Sequence, residues 1–269
     1  MQDILQEIVS HKRGELEQTF AKRRSMKQHL ASSPSGIIAE FKRRSPSKGW
    51  IHADAMAEHI VPQYAAGGAS AVSILTDQEY FGGDIDFIRR VRNLVPDLPI
   101  LRKEFIIDPY QLYEAKVVGA DAVLLIAADL TCAQYADLLA TAHRIGLEVL
   151  LEVHDADELN YLEYGVPDML GVNNRSLGTF HTDVQHSFDI ALHMQQAVGH
   201  LDASLRPLLV SESGISHPEV VGRLREVGFR GFLIGECFMK EMDPGAALRN
   251  FILRLENLPK EATHGSLTV

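Results

Sequence analysis

From residue 37 onward one hydrophobic pattern recurs along the chain. A short apolar run is followed by a polar loop, then by a stretch whose apolar residues fall at three- and four-residue spacing, then by a glycine and the next run. The joints read Ala-Gly-Gly-Ala-Ser-Ala-Val-Ser-Ile (66–74), Val-Gly-Ala-Asp-Ala-Val-Leu-Leu-Ile (118–126), Ile-Gly-Leu-Glu-Val-Leu-Leu-Glu-Val (145–153), Tyr-Gly-Val-Pro-Asp-Met-Leu-Gly-Val (164–172) and Val-Gly-Phe-Arg-Gly-Phe-Leu-Ile-Gly (227–235). Short runs of this kind predict buried strands, and the three-four spacing predicts amphipathic helices. The glycine sits where a helix needs a left-handed residue to end. Strands are predicted near 37–42, 70–75, 99–103, 121–126, 147–153, 168–172, 207–212 and 231–235, with starts far enough apart for a helix between each pair. Upstream, Ile4, Leu5, Ile8, Val9, Leu16 and Phe20 form an apolar stripe among charges and predict one or two helices over 3–25.

Eight strands alternating with helices predict an α/β fold, a closed (β/α)8 TIM barrel, whose usual length is about 250 residues. The 269-residue chain fits it as one domain: a helical extension over 1–36, the barrel over 37–258 and a tail over 259–269. A doubly wound open sheet would be favoured by Gly-x-Gly-x-x-Gly after the first strand, and none stands there. Hydrophobic residues make up 46% of the chain, enough for a large core. A net charge of −10 argues against a nucleic-acid partner but leaves room for a local basic pocket. Two cysteines, Cys132 and Cys237, and an N-terminus without a basic start and apolar run point to a reduced cytoplasmic protein. The apolar runs fall short of the ~18 residues that span a bilayer. His181, His186 and His193 form no metal-binding pattern and are expected in solvent, so no metal is expected at them, and the chain is expected to act as a monomer.

In a barrel the chemistry gathers at the C-terminal strand ends. The first run, within 37–49, stops at Glu40 and Lys42, two apart and so on one face, and turns through Ser45, Pro46, Ser47 and Gly49. Those residues alone fit a solvated ion-paired collar as well as a site. Lys103 follows Leu101 by two, and Glu152 follows Leu150 by two, so both point inward. The sixth run leads into Asn173, Asn174 and Arg175, and the seventh into Ser211, Glu212, Ser213 and Gly214. Any one of these could be a buried carboxylate with its lysine or a strand-end cation reaching water. Together on one rim they predict a proton-transfer site, since burial and opposite charge can tune such groups toward neutral pH. Ser213-Gly214-Ile215 and Ile234-Gly235-Glu236 place small residues after the seventh and eighth strands, the usual phosphate position of such barrels, with Ser45 in reach.

Six motifs in order resemble the indole-3-glycerol phosphate synthase family over nearly the whole chain. They are Ile-Ala-Glu-Phe-Lys-Arg-Arg-Ser-Pro-Ser-Lys-Gly (38–49), Leu-Thr-Asp-Gln-Glu-Tyr-Phe-Gly-Gly (75–83), Leu-Arg-Lys-Glu-Phe-Ile (101–106), Leu-Leu-Glu-Val-His (150–154), Gly-Val-Asn-Asn-Arg-Ser-Leu (171–177) and Ser-Glu-Ser-Gly-Ile (211–215). The resemblance implies a cofactor-free conversion of 1-(2-carboxyphenylamino)-1-deoxyribulose 5-phosphate to indole-3-glycerol phosphate, carbon dioxide and water, in tryptophan biosynthesis. By resemblance Lys103 is the general acid for ring closure, and Glu152 assists later proton transfers. Lys42 binds the substrate carboxylate or shares in dehydration, while Glu40 orients the lysines and holds a hydroxyl. Asn173, Arg175, Glu212 and Ser213 would hold the anthranilate and ribulose portions, and Phe81, Phe105 and Pro46 would wall the aromatic ring. Phosphate would meet Ser45, Gly214, Gly235 and the amide of Glu236, whose carboxylate must point away. The resemblance also implies an N-terminal helix over the barrel mouth. Three rival readings are a Schiff-base aldolase using Lys103, a catalytically silent phosphate-binding barrel, and phosphoribosylanthranilate isomerase. The last would carry a cysteine where this chain has Glu40 and Lys42.

Overall fold

The computed structural model of the protein describes residues 4, 6, 8–12, 24–176 and 181–258. Eight parallel strands close into a barrel: β1 Ile37–Phe41, β2 Ala71–Leu75, β3 Ile100–Lys103, β4 Ala122–Ile126, β5 Glu148–Val153, β6 Met169–Asn173, β7 Leu208–Glu212 and β8 Gly231–Ile234. Each strand pairs with its sequence neighbours, and β1 pairs with β8 to close the ring, Ala39 opposite Ile234. The fold is the TIM barrel that the hydrophobic pattern predicts, with strand limits within about one residue of those read from the sequence.

Strand residues alternate between two cores, as the two-residue period of a strand requires. Ile37, Ala39, Phe41, Ile74, Val123, Leu151 and Phe232 point outward and pack under the helices. Ile38, Ala71, Leu101, Leu124, Leu150, Met169, Val210 and Leu233 fill the barrel interior. The surrounding helices are Ala57–Ala66, Asp86–Arg92, Pro109–Val118, Cys132–Arg144, Gln185–Gly199, Pro218–Glu226, Glu236–Met239 and Pro244–Glu256. Local signals set several of their ends. Asp108 accepts from the Tyr110 amide and forms a capping box with Gln111, Pro109 opens the helix, and Gly119 ends it at φ 100°. Thr131 and Gln134 form a second box. Between β5 and β6 the structure departs from the predicted α-helix: Asp157–Glu163 is a 3₁₀ helix. At ~2.0 Å rise per residue a 3₁₀ segment covers more height than an α-helix of equal length, which suits this short return.

A further helix, α1 Met26–Ser32, closes the N-terminal end of the barrel. Met26 and Leu30 join the interior cluster. Ser25 caps α1 and donates to Glu148, which also accepts from the Lys27 amide at 3.0 Å. Burial pushes the Glu148 carboxyl up, and these two bonds offset part of that rise. Arg24 Nε donates to Asp121 at 2.8 Å on the same end. With this end sealed by side chains, the C-terminal rim is where the interior opens. The helix expected over 3–25 is described at residues 4, 6 and 8–12, where Ile4, Ile8 and Val9 are exposed. Leu5, Leu16, Phe20 and the tail 259–269 lie outside the described residues.

Candidate active site

The inward positions at the top of the strands are polar, in the same phase as the apolar interior below them. Lys103 of β3 stands at the centre: its Nζ donates to Glu152 Oε2 at 2.7 Å and to Glu212 Oε2 at 2.9 Å. Both carboxylates are almost fully buried, at 3% and 1% side-chain exposure. Buried charges survive when paired and hydrogen-bonded, and here one ammonium serves two acids. Burial works against the Lys103 charge, but Glu152, Glu212 and Glu40 outweigh it and hold the lysine protonated well above its ordinary range. Burial pushes Glu152 up as well, yet Lys103 and the Asn173 amide, donating at 3.0 Å, bring it below the ordinary carboxylate value. Glu212 goes the other way: burial, only partly opposed by Lys103 and reinforced by Glu152 and Glu40, lifts it to about 7. Two acids around one lysine thus have proton affinities pushed apart, an arrangement suited to acid and base roles.

Glu40 and Lys42 form the neighbouring pair, with Lys42 Nζ donating to Glu40 at 2.5 Å. Glycines make room for the acids. A Cβ on Gly235 would stand 2.3 Å from Glu40 Oε1, and one on Gly171 would stand 2.3 Å from Glu212 Oε1. Gly235 therefore shapes the proton-transfer cluster as well as the rim of the eighth strand.

Two lobes open from this cluster, sharing Glu40, Lys42, Arg175, Ser213 and Leu233 in their walls. One, about 410 Å³, is lined by Ser45, Pro46, Phe81, Phe105, Lys103, Glu152, Asn173 and Glu212, with the Phe81 and Phe105 rings 6.1 Å apart. The other, about 400 Å³, is basic, lined by Lys42, Lys48, Arg175 and Lys240 with Gly214 and Gly235. The loop after β1 supplies both: Ser45 and Pro46 face the aromatic lobe, while Ser47 and Lys48 face the basic one. That loop is stapled to the loop after β2, Arg44 N donating to Phe81 O at 3.1 Å and Arg43 Nε to Gly82 O at 2.9 Å. It is stapled to the loop after β6 by Arg175, which donates to Ser47 Oγ at 2.8 Å. The Glu236 carboxylate does not point away as expected: it lines the basic lobe, accepting from Lys48 and lying 3.9 Å from Arg175.

Ser213 and Gly214 are both left-handed, at φ 68° and 77°. A non-glycine residue there stores roughly 1 kcal/mol or more of strain, so the surroundings must hold it. Asn174 does: its Nδ2 donates to Ser213 O at 3.0 Å and to Ser211 Oγ, and its Oδ1 accepts from the amide and hydroxyl of Ser187. The sequence reading reached every member of the central cluster and placed Ser47 in the first loop, but passed over Lys48, Asp129 and His154. Lys48 stands in the quoted 38–49 motif, and His154 is two residues beyond Glu152 and so in its phase, which were the available signals.

The sequence profile described as indole-3-glycerol phosphate synthase matches residues 3–251. The chain belongs to the indole-3-glycerol phosphate synthase family. It is 56% identical to the indole-3-glycerol phosphate synthase of Bacteroides thetaiotaomicron over 95% of this chain and all of that one. It is 40% identical to that of Polaromonas naphthalenivorans over 92% of this chain and 98% of the relative. Among solved structures, a thiamine phosphate pyrophosphorylase from Pyrococcus furiosus superposes with a TM-score of 0.60 at 16% identity, covering 86% of this chain and 98% of that one, a likeness of fold alone.

Proposed function

We propose that the protein closes the ring of 1-(2-carboxyphenylamino)-1-deoxyribulose 5-phosphate, releasing carbon dioxide and water, to give indole-3-glycerol phosphate for tryptophan biosynthesis. The observation that carries this reading is a protonated lysine held by two buried acids where an aromatic lobe meets a basic one. The anthranilate ring lies in the aromatic lobe against Pro46, Phe81 and Phe105, and the phosphate lies in the basic lobe beside Gly214 and Gly235, with Lys48 and Arg175 as counter-charges. The amide of Glu236 belongs to the basic lobe, whereas Ser45, expected at the phosphate, stands in the wall of the aromatic lobe.

Lys103 protonates the ribulose carbonyl oxygen as the ring carbon attacks. Lys42 holds the substrate carboxylate until it leaves, and Glu40 keeps Lys42 in place and accepts a sugar hydroxyl. Glu152 exchanges protons in the dehydration, and Asn173, Arg175, Glu212 and Ser213 hold the ribulose chain. A Schiff-base role for Lys103 would require a neutral amine, whereas three carboxylates favour its ammonium form. Every one of these groups comes from the strand ends and loops of one barrel, which supports a single-domain monomer as the acting unit. Among the described residues Cys132 and Cys237 are free thiols, in keeping with a cytoplasmic setting, and no described helix is long and apolar enough to cross a membrane. The test is a fluorescence assay for the indole product. Its growth on adding the carboxyphenylamino substrate supports the reading, and its absence with folded protein overturns it.

A further inference from the structure

The proposed reaction consumes a proton. The substrate brings an ionised carboxylate. Carbon dioxide leaves its bonding electron pair in the ring, and the oxygen of the former carbonyl departs as water with two hydrogens. Lys103 supplies the first of these when it protonates the carbonyl oxygen. The second is balanced by the proton that the sugar carbon loses as the indole forms. Lys103 is therefore left neutral and must regain one proton from solvent in every turnover, although its direct partners, Glu152 and Glu212, are buried.

His154 stands at the place where such a proton can enter. It follows Glu152 by two residues, so its side chain turns the same way. Its Nε2 lies 3.5 Å from Glu152 Oε1, and its Nδ1 lies 3.9 Å from Glu158 Oε2. Both ring nitrogens are buried, yet neither makes a hydrogen bond among the described residues. Buried polar atoms left so call for an explanation. The backbone of His154 is fixed on both sides, its amide donating to Glu158 at 2.6 Å and its carbonyl meeting His186 Nε2 at 2.6 Å. His154 also lines an open cleft of about 420 Å³ with Asp183 and His186, which shares Asn173 and Arg175 with the aromatic lobe. The charged and titratable groups around it are thus Glu152 of β5, Glu158 of the 3₁₀ helix, Asp129 of the turn after β4, and Arg175, His181, Asp183 and His186 around the cleft.

We propose that His154 relays protons from solvent, by way of Glu158, to Glu152 and through it to Lys103, reloading the acid once per turnover. This rests on the reading of Lys103 as the acid of ring closure. A neutral Lys103 releases Glu152, whose carboxylate turns toward His154 and closes the 3.5 Å gap. The Nε2–H bond of His154 breaks as an O–H bond forms on Glu152 Oε1. That O–H bond then breaks as Nζ–H forms on Lys103. As that proton leaves, the imidazole takes its replacement at Nδ1 from Glu158, whose carboxylate lies 3.9 Å away, is 18% exposed and exchanges with solvent, a shuttle suited to the two ring nitrogens.

The test is steady-state kinetics of the full-length protein and of His154→Asn and His154→Ala, with and without added imidazole. Reloading follows the irreversible loss of carbon dioxide, so it limits kcat and leaves kcat/KM close to wild type. The expected result is a kcat lower by about tenfold or more in both variants, with KM falling in parallel, and recovery of kcat in His154→Ala with added imidazole. A merely structural role would lower kcat/KM or thermal stability and would not respond to imidazole. The relay is overturned if His154→Asn, close in size and able to donate a hydrogen bond but not to shuttle, turns over at the wild-type kcat. It is also overturned if imidazole restores nothing. Absence of indole product from the wild-type protein would overturn the site reading itself, a result separate from either of these.

Discussion

Replacing Glu212 by glutamine tests the electrostatics of the cluster through stability. In the folded protein the Glu212 carboxyl is lifted from its ordinary 4.5 to about 7, by burial first and by Glu152 and Glu40 after it. At about 1.4 kcal/mol for each tenfold change in proton affinity, that rise corresponds to about 3 kcal/mol. The sign follows from which form the fold prefers. Folding favours protonated Glu212, so its favourable contribution is complete below pH 4.5 and is lost as pH rises through about 7. Above that, the wild-type protein holds a charged acid at a position only 1% exposed. Glutamine keeps the shape and cannot titrate. Urea unfolding of both proteins from pH 5 to 8.5 should therefore show Glu212→Gln gaining about 2.5 kcal/mol relative to wild type across that range, most of it between pH 5 and 7. Curves that run parallel across the range would refute the buried, raised acid.

Other substitutions test the remaining parts. Lys103→Met leaves Glu152 and Glu212 buried without their cation, so stability at pH 8 should fall by about 3–5 kcal/mol, and the loss should shrink toward pH 5 as the acids take up protons; a chemical-unfolding series would show it. Gly235→Ala puts a methyl group 2.3 Å from Glu40 Oε1 and displaces that carboxylate, so kcat should drop about tenfold or more with a small change in Tm, checked by kinetics beside calorimetry. Glu148→Ala removes the acceptor that ties Ser25 and Lys27 at the closed end of the barrel, and should cost about 1–3 kcal/mol by urea unfolding with kcat unchanged.

Much of this architecture is legible in the sequence because barrel strands alternate strictly. Counting by two from Ile38 reaches Glu40 and Lys42, from Leu101 reaches Lys103, and from Leu150 reaches Glu152, and each of these side chains joins the central cluster. The pairing of Lys103 with Glu212 joins residues 109 apart and depends on barrel closure, which periodicity does not reveal. The division of the first loop is invisible for another reason. Ser45 and Ser47 are chemically alike, and only the antiparallel turn between Arg44–Ser45 and Gly49–Trp50 sends them to different lobes. The role of Met26 and Leu30 as the plug of the barrel is hidden because seven residues are too few for a clear helical stripe. The 3₁₀ helix after β5 carries no side-chain cap, so nothing local in the sequence marks its start.

The central claim is that the Lys103 ammonium supplies the proton for ring closure. Single-turnover formation of the indole product, followed by fluorescence with enzyme in excess over the carboxyphenylamino substrate, tests it most directly in wild type and Lys103→Met. The account predicts rapid product formation by the wild-type protein and a loss of about 10²-fold or more in the variant at a pH where it remains folded. Product formation by folded Lys103→Met at the wild-type rate would contradict it.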